Sequence, residues 1–139
     1  MGAKTVSLKF DGYWTEPEIS GIPKRSGVFI VYACTKDGQK TSFLKKVIYI
    51  GQSENVNQGI AKHKKWPLWR KYSGANQICF SFAPAPNPDR QRSEGALIYK
   101  HKPPVNEGYI AFFPFDETTM ELSGKIALLS RSFTVSRRD

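Results

Sequence analysis

The sequence predicts an α+β protein with a single domain, and three observations indicate this class. The chain has 139 residues, which is the length of one domain and is enough to bury a hydrophobic core. Runs rich in β-branched and aromatic residues, which are typical of strands, occur at 27–34, 46–50 and 77–83. Segments with the signals of helix starts follow two of these runs, so the chain is expected to contain both kinds of element.

The N-terminal segment, residues 1–25, is expected to lie as an arm over the core, with a short strand at 5–10. The first strong strand is predicted at 27–34, where seven residues of strand preference follow a glycine. A polar turn at 36–38 bounds it, and the strand at 46–50 should pair with it as a hairpin with a long loop.

A basic helix is predicted at 54–64, directly after the second strand. Ser53 or Asn55 can offer a side-chain oxygen to the unpaired amides of its first turn. Pro67 marks the start of a second, short helical segment. A corner between a strand and a helix is a common place for a functional site, because the core holds both elements rigidly.

A third helix is expected after the strand at 77–83. Asn87 can cap it, and Pro88 fits its first helical position, so the helix should run to about His101. The remaining residues, 111–139, form a C-terminal extension that is too short for a separate specificity domain.

The charge of the chain favours a polyanionic partner. Twenty-one Lys and Arg residues against twelve Asp and Glu residues leave a net charge of +9. Nucleic acid is the expected partner, and an anionic membrane is a distant second. A basic protein without such a partner remains an alternative.

A cytoplasmic location is expected. Cys34 and Cys79 are too far apart in sequence for a CxxC metal-ligand pair and are interpreted as small core residues of a reduced compartment. No run approaches the length of a membrane span, and the N-terminus lacks the apolar stretch of a secretory signal, so no membrane partner is expected.

Two sets of residues in a fixed order resemble the GIY-YIG nuclease superfamily, which includes homing endonucleases, some restriction enzymes and an excision-repair nuclease. The sets are Gly27-Val28-Phe29 with Tyr49-Ile50-Gly51-Gln52-Ser53 and Asn55, then Glu94 with Leu97-Ile98 and Pro104-Val105-Asn106. The resemblance covers residues 26–110. It implies a small three-stranded antiparallel sheet flanked by helices in this part of the chain.

The resemblance also implies a function, which is hydrolysis of a phosphodiester bond in DNA with one divalent ion, Mg²⁺ or Mn²⁺. Glu94 would be the metal ligand, because a hard carboxylate suits Mg²⁺. The hydroxyl of Tyr49 would position or deprotonate the attacking water, and His63 would lie near the phosphate. Gly51 and Asn106 would have structural roles at the site.

The chain departs from the family pattern at two catalytic positions. Phe29 replaces a tyrosine, and Gly59 replaces an arginine whose planar guanidinium stabilises charge on the phosphate. Glycine costs a helix interior about 1 kcal/mol relative to alanine, so the helix itself does not favour it. Drift in a degenerate site and a deliberate substitution that silences the nuclease both remain open. Lys62 could replace the arginine only in part.

Clustered cations near the predicted helices are candidates for contact with nucleic acid. They are Lys45, Lys46, Lys64, Lys65, Arg70 and Lys71. With Trp66 and Trp69 they predict a track for phosphates with an aromatic ring for stacking, or else a solvated face over two core tryptophans.

Three functions follow from these observations: an endonuclease impaired at Phe29 and Gly59, an inactive protein that still binds nucleic acid, and a protein-interaction domain that uses the aromatic C-terminal region. Any sequence preference would have to come from the arm, from the tail or from a homodimer.

Overall fold

The computed structural model describes residues 2–37 and 40–137, so Met1, Gly38, Gln39, Arg138 and Asp139, and with them part of the turn expected at 36–38, lie outside the described residues. The strands are β1 (Lys4–Thr15), β2 (Gly27–Asp37), β3 (Lys40–Ser53), β4 (Gln77–Pro84), β5 (Thr118–Gly124) and β6 (Ser132–Val135). The α-helices are α1 (Val56–Ala61), α2 (Trp66–Ser73) and α3 (Asp89–His101), and a 3₁₀ helix spans Glu16–Gly21.

The six strands form one mixed sheet in the order β3-β2-β4-β1-β5-β6. Strand β1 pairs antiparallel with β4 and parallel with β5, and the other neighbours are antiparallel. The prediction of a small three-stranded antiparallel sheet is therefore wrong. The predicted strands lie side by side as β3, β2 and β4, but both ends of the chain add strands to the same sheet.

The added strands belong to the sheet because their apolar residues alternate. Val6, Leu8 and Phe10 of β1 are buried, as are Met120 and Leu122 of β5, while the residues between them face outward. Since successive side chains on a strand point to opposite faces, this period of two buries one face of each strand.

The sheet separates two cores, one on each face. On one face, Val28 and Ile30 pack in a cluster that includes Leu97 of α3. On the other face, Val31 packs in a cluster that includes Trp69 of α2, together with residues of α1. Strand β3 is an edge of the sheet. It contacts α3 on one face and α1 and α2 on the other.

Cys34 and Cys79 are both fully buried, on adjacent strands. Their place in the core is therefore as predicted, whereas their pairing as a disulfide, with Cα atoms 6.3 Å apart, was not predicted. The described helices include none that is long and apolar enough to cross a lipid bilayer.

Candidate active site

A hollow of about 240 Å³ opens at the sheet edge formed by β3. The lining residues come from β3, from α3, from the segment between α1 and α2, and from the segment after α3; they are Tyr49, Lys64, Lys65, Glu94, Ile98, Asn106, Glu107, Gly108 and Tyr109. The fold thus brings Tyr49, Glu94 and Asn106 to one place, although they are distant in sequence.

Glu94 presents a partly buried carboxyl group to this hollow. Within the described part of the chain the group makes no hydrogen bond and no ion pair. Burial raises the pKa of Glu94 from 4.5 to about 7, and the positive charge of Arg90 opposes this effect. The carboxyl group is therefore only half ionised at neutral pH, and a bound cation would favour its charged form.

The hydroxyl of Tyr49 remains protonated at neutral pH. Burial raises the pKa of this phenol to about 12, and the charges of Glu94 and Glu107 add to the effect. A protonated phenol can donate a hydrogen bond but is a poor base. The side chain is therefore better suited to positioning a water molecule or a phosphate than to deprotonating one.

Phe29 and His63 pack with Tyr49 in an aromatic cluster. The ring centroids of Tyr49 and His63 are 5.1 Å apart, and those of Phe29 and Tyr49 are 6.2 Å apart. Phe29 is 1% exposed, and a Cβ atom at Gly51 would overlap its ring, which explains the glycine at that position. Phe29 therefore supplies apolar packing beside Tyr49.

His63 is held in one neutral tautomer. The backbone N–H of Lys65 donates to its Nδ1 atom at 3.0 Å, which leaves the proton on Nε2. Burial lowers the pKa of His63, and the charges of Lys65 and Lys64 lower it further. The imidazole is thus an uncharged neighbour of the Tyr49 ring.

Asn106 pairs with edge strand β3 in the manner of another strand. Its Oδ1 atom accepts from the Ile50 N–H at 2.9 Å, and its Nδ2 atom donates to the Ile50 carbonyl at 2.8 Å. These two bonds fix the segment after α3 against the strand that carries Tyr49.

Replacing Asn106 with alanine should destabilise the protein by about 1–3 kcal/mol, because two backbone groups of Ile50 lose their partner. Urea unfolding of the parent and the variant measures this difference. Asn76→Ala is the matched control, because the Asn76 side chain makes no hydrogen bond in the described part, and its effect should stay within about 0.5 kcal/mol. Equal stability of Asn106→Ala and the parent would contradict the structural role.

A close contact with Ser53, which helix propensity does not reveal, explains the glycine at position 59. A Cβ atom at this position would lie 2.8 Å from both Cβ and Oγ of Ser53. The Ser53 hydroxyl is itself engaged, since it accepts from the Asn55 N–H and donates to the Asn55 carbonyl. The expectation that local structure does not favour glycine here is therefore wrong. Lys62 is exposed at the end of α1, apart from the residues that line the hollow.

The predicted nucleic-acid contacts do not form one group. Lys64 and Lys65 line the hollow, and Lys65 also pairs with Glu107 at 3.1 Å. Lys45 and Lys46 lie further back on β3, where their ammonium groups are each 5.5 Å from an aromatic ring centroid, those of Phe43 and Tyr72. Their roles remain predictions.

Arg70 belongs to a second and larger hollow, of about 800 Å³, between the 3₁₀ helix and α2. Its guanidinium makes two hydrogen bonds to the carboxylate of Glu16, at 3.1 and 2.7 Å. Lys71, the next residue, is exposed. Because the carboxylate of Glu16 is taken up by Arg70, the described lining of this hollow offers no unpaired carboxyl group, and the smaller hollow at Glu94 is the better candidate for chemistry.

The donor set suits a hard ion that keeps most of its own water. Across residues 2–37 and 40–137, no cluster of three or more His, Cys, Asp or Glu side chains could hold a metal ion. Mg²⁺ and Mn²⁺ do not require such a cluster, because one carboxylate, water molecules and a substrate phosphate can complete the coordination. Glu94 fits this arrangement, and the ion would be bound together with its substrate.

Comparison of the chain with models of protein families, with curated proteins and with solved structures finds no match.

One residue of this region, Arg90, carries no sequence signal of a special role. It lies one turn before Glu94 on α3, among other charged residues at the start of the helix. Only its burial, at 6% exposure, distinguishes it from a solvated helix residue.

Proposed function

We propose that this protein hydrolyses phosphodiester bonds in DNA with one Mg²⁺ or Mn²⁺ ion, and that it does so slowly. The supporting observation is that the phenol of Tyr49 and the carboxyl group of Glu94 line one hollow, with Lys64 and Lys65 beside them. A carboxylate for a hard cation, a hydrogen-bond donor and nearby cations are groups that this reaction requires, although Glu107 pairs with Lys65 at the same hollow.

Each residue would have a distinct part in the reaction. Glu94 would hold the divalent ion, which when bound polarises a phosphate oxygen. Tyr49 would donate a hydrogen bond that orients the water or the phosphate. Lys64 and Lys65 would attract the DNA backbone.

The residues at two positions are the reason for proposing low activity. Phe29 offers no hydroxyl, and Gly59 offers no guanidinium, so two groups that would stabilise or prepare the reacting phosphate are absent. Loss of one such charge-stabilising donor typically slows the chemical step about 10²–10³-fold. A nucleic-acid-binding protein without turnover is therefore the second candidate, favoured by the same two residues.

Nicking of supercoiled plasmid in Mg²⁺ tests the proposal, with EDTA as the control and duplex binding measured in parallel. We expect slow nicking that requires the metal and increases between pH 6 and 8, because Glu94 loses its proton with a pKa of about 7. Binding that weakens with salt but occurs without nicking would favour the second candidate. Absence of both would overturn both and would favour a protein-interaction domain.

A further inference from the structure

Arg90 carries a buried positive charge that has only neutral hydrogen-bond partners among the described residues. Its Nη1 atom donates to Ser26 Oγ at 2.7 Å, and its Nε atom donates to Gln52 Oε1. It forms no ion pair in this part of the chain, although it is only 6% exposed. Burying a guanidinium that has no carboxylate hydrogen-bonded to it is costly, so the position calls for an explanation.

Arg92 on the same helix provides the contrast. It is equally buried, but its guanidinium donates to the Thr118 hydroxyl and to the carbonyl groups of Gly2, Asp116 and Glu117. These bonds fix α3 to the start of β5, which is a structural role. Within the described residues the Nη2 atom of Arg90 has no acceptor, as is also true of the Nη1 atom of Arg92, and neither atom is among the fully enclosed polar atoms that lack a partner. The two arginines differ in that Arg92 makes four hydrogen bonds in this part of the chain and Arg90 makes two.

Arg90 is close to Glu94 on α3, although it is not itself among the residues that line the hollow. The two residues are four positions apart on α3, so their side chains share a helix face, and the charge of Arg90 acts on the Glu94 carboxyl group. Through Gln52, the guanidinium contacts the end of β3. Gly59 approaches the neighbouring Ser53, whose side chain points to the other face of the strand.

We propose that Arg90 is a phosphate-binding residue of this site, and that its guanidinium receives an oxygen of the nucleic-acid backbone on the side of Glu94. This inference rests on the proposed function. Arg90 would thus supply fixed positive charge at a site where residue 59 supplies none, but it would do so from the opposite face of the strand. A guanidinium with an N–H group that lacks an acceptor, and with no carboxylate hydrogen-bonded to it, is suited to this role.

Binding of a short DNA duplex, measured by fluorescence anisotropy in Ca²⁺ at several salt concentrations, tests the inference. For Arg90→Gln we expect about 10- to 100-fold weaker binding and a salt slope smaller by about 0.9, which corresponds to one lost phosphate contact. Arg90→Lys should keep the salt slope but bind DNA several-fold more weakly, because lysine retains the positive charge and loses the planar guanidinium that can donate two parallel hydrogen bonds. Lys100→Gln is the control, since it removes one charge from the exposed far end of the same helix.

Circular dichroism and thermal unfolding show whether each variant is folded. If Arg90→Gln does not fold, the binding of Arg90→Lys tests the role of Arg90 instead. A merely structural Arg90 would leave the salt slope of a folded Arg90→Gln unchanged. A folded Arg90 variant with the affinity and slope of the parent would overturn the assignment of Arg90 alone. Absence of salt-dependent binding by the parent would overturn the proposed function and the Arg90 assignment with it.

Discussion

Replacing Glu94 with glutamine should abolish metal-dependent cleavage of DNA and should also stabilise the folded protein above pH 7. Glutamine keeps the shape of the side chain but removes the charge that would hold the ion. We expect cleavage to fall by at least about 10³-fold, because the other carboxylate that lines the hollow, Glu107, is paired with Lys65. Plasmid nicking by equal amounts of the parent and the variant measures the loss.

The gain in stability follows from the raised pKa of Glu94. The folded protein holds the proton up to about pH 7, whereas the unfolded chain releases it near pH 4.5. The contribution of this group is therefore fully present below pH 4.5 and is lost as the pH rises through 7. Above pH 7, ionised Glu94 costs the fold up to about 3 kcal/mol, and glutamine avoids this cost.

Urea unfolding at pH 4.5 and at pH 8, with EDTA present, separates this effect from metal binding. The variant should be more stable than the parent at pH 8 and nearly equal to it at pH 4.5. Glu107→Gln is the control for stability, because Glu107 lines the same hollow but is 84% exposed, and its effect should stay below about 1 kcal/mol. Equal destabilisation of Glu94→Gln at both pH values would show that the carboxyl group serves the fold instead.

The sequence predicted the central strands and the extent of α3 well, because their signals are local. The predicted cap is wrong, because Pro88 and not Asn87 is the N-cap of α3, and no side chain among the described residues caps the helix. Long apolar runs produce β2 and β4, and a proline-rich break followed by an acidic first turn marks the start of α3. The size of the sheet was not predictable in this way. Strand β1 pairs in parallel with β5, from the opposite end of the chain, and no local pattern specifies a pairing over that distance.

The candidate site shows the same limit. Tyr49 and Glu94 could be named from the order of the motifs, and the fold does bring them to one hollow. The environment of each side chain could not be named, because burial depends on tertiary packing. The sequence therefore did not distinguish Arg90 from a solvated helix residue, and it did not predict the close approach of Ser53 to Gly59.

Replacing Gly59 with arginine should raise the rate of DNA cleavage about 10²–10³-fold, which is the second large effect that we expect. Gly59 is not among the residues that line the hollow, so the gain requires that the long arginine side chain reach the phosphate, where its guanidinium would stabilise developing charge. Metal-dependent plasmid nicking by the parent and the variant measures the gain. Gly59→Gln is the matched control, because it adds a side chain of comparable reach without the charge and should not raise the rate.

The same substitution should lower the stability of the protein, because the new Cβ atom would lie 2.8 Å from two side-chain atoms of Ser53. Ser53 would have to move, and its hydrogen bonds with Asn55 would weaken. We therefore expect no gain from the better helix propensity, and a loss of about 1–2 kcal/mol in urea unfolding for both Gly59→Arg and Gly59→Gln. Adding Ser53→Gly removes both contacting atoms and should recover part of that loss in the arginine variant. One combination of results would contradict hydrolysis: Gly59→Arg is folded and Arg90→Lys binds DNA as expected, but neither the parent nor Gly59→Arg cuts DNA. The site would then bind phosphate without hydrolysing it, and the second candidate function would replace the first.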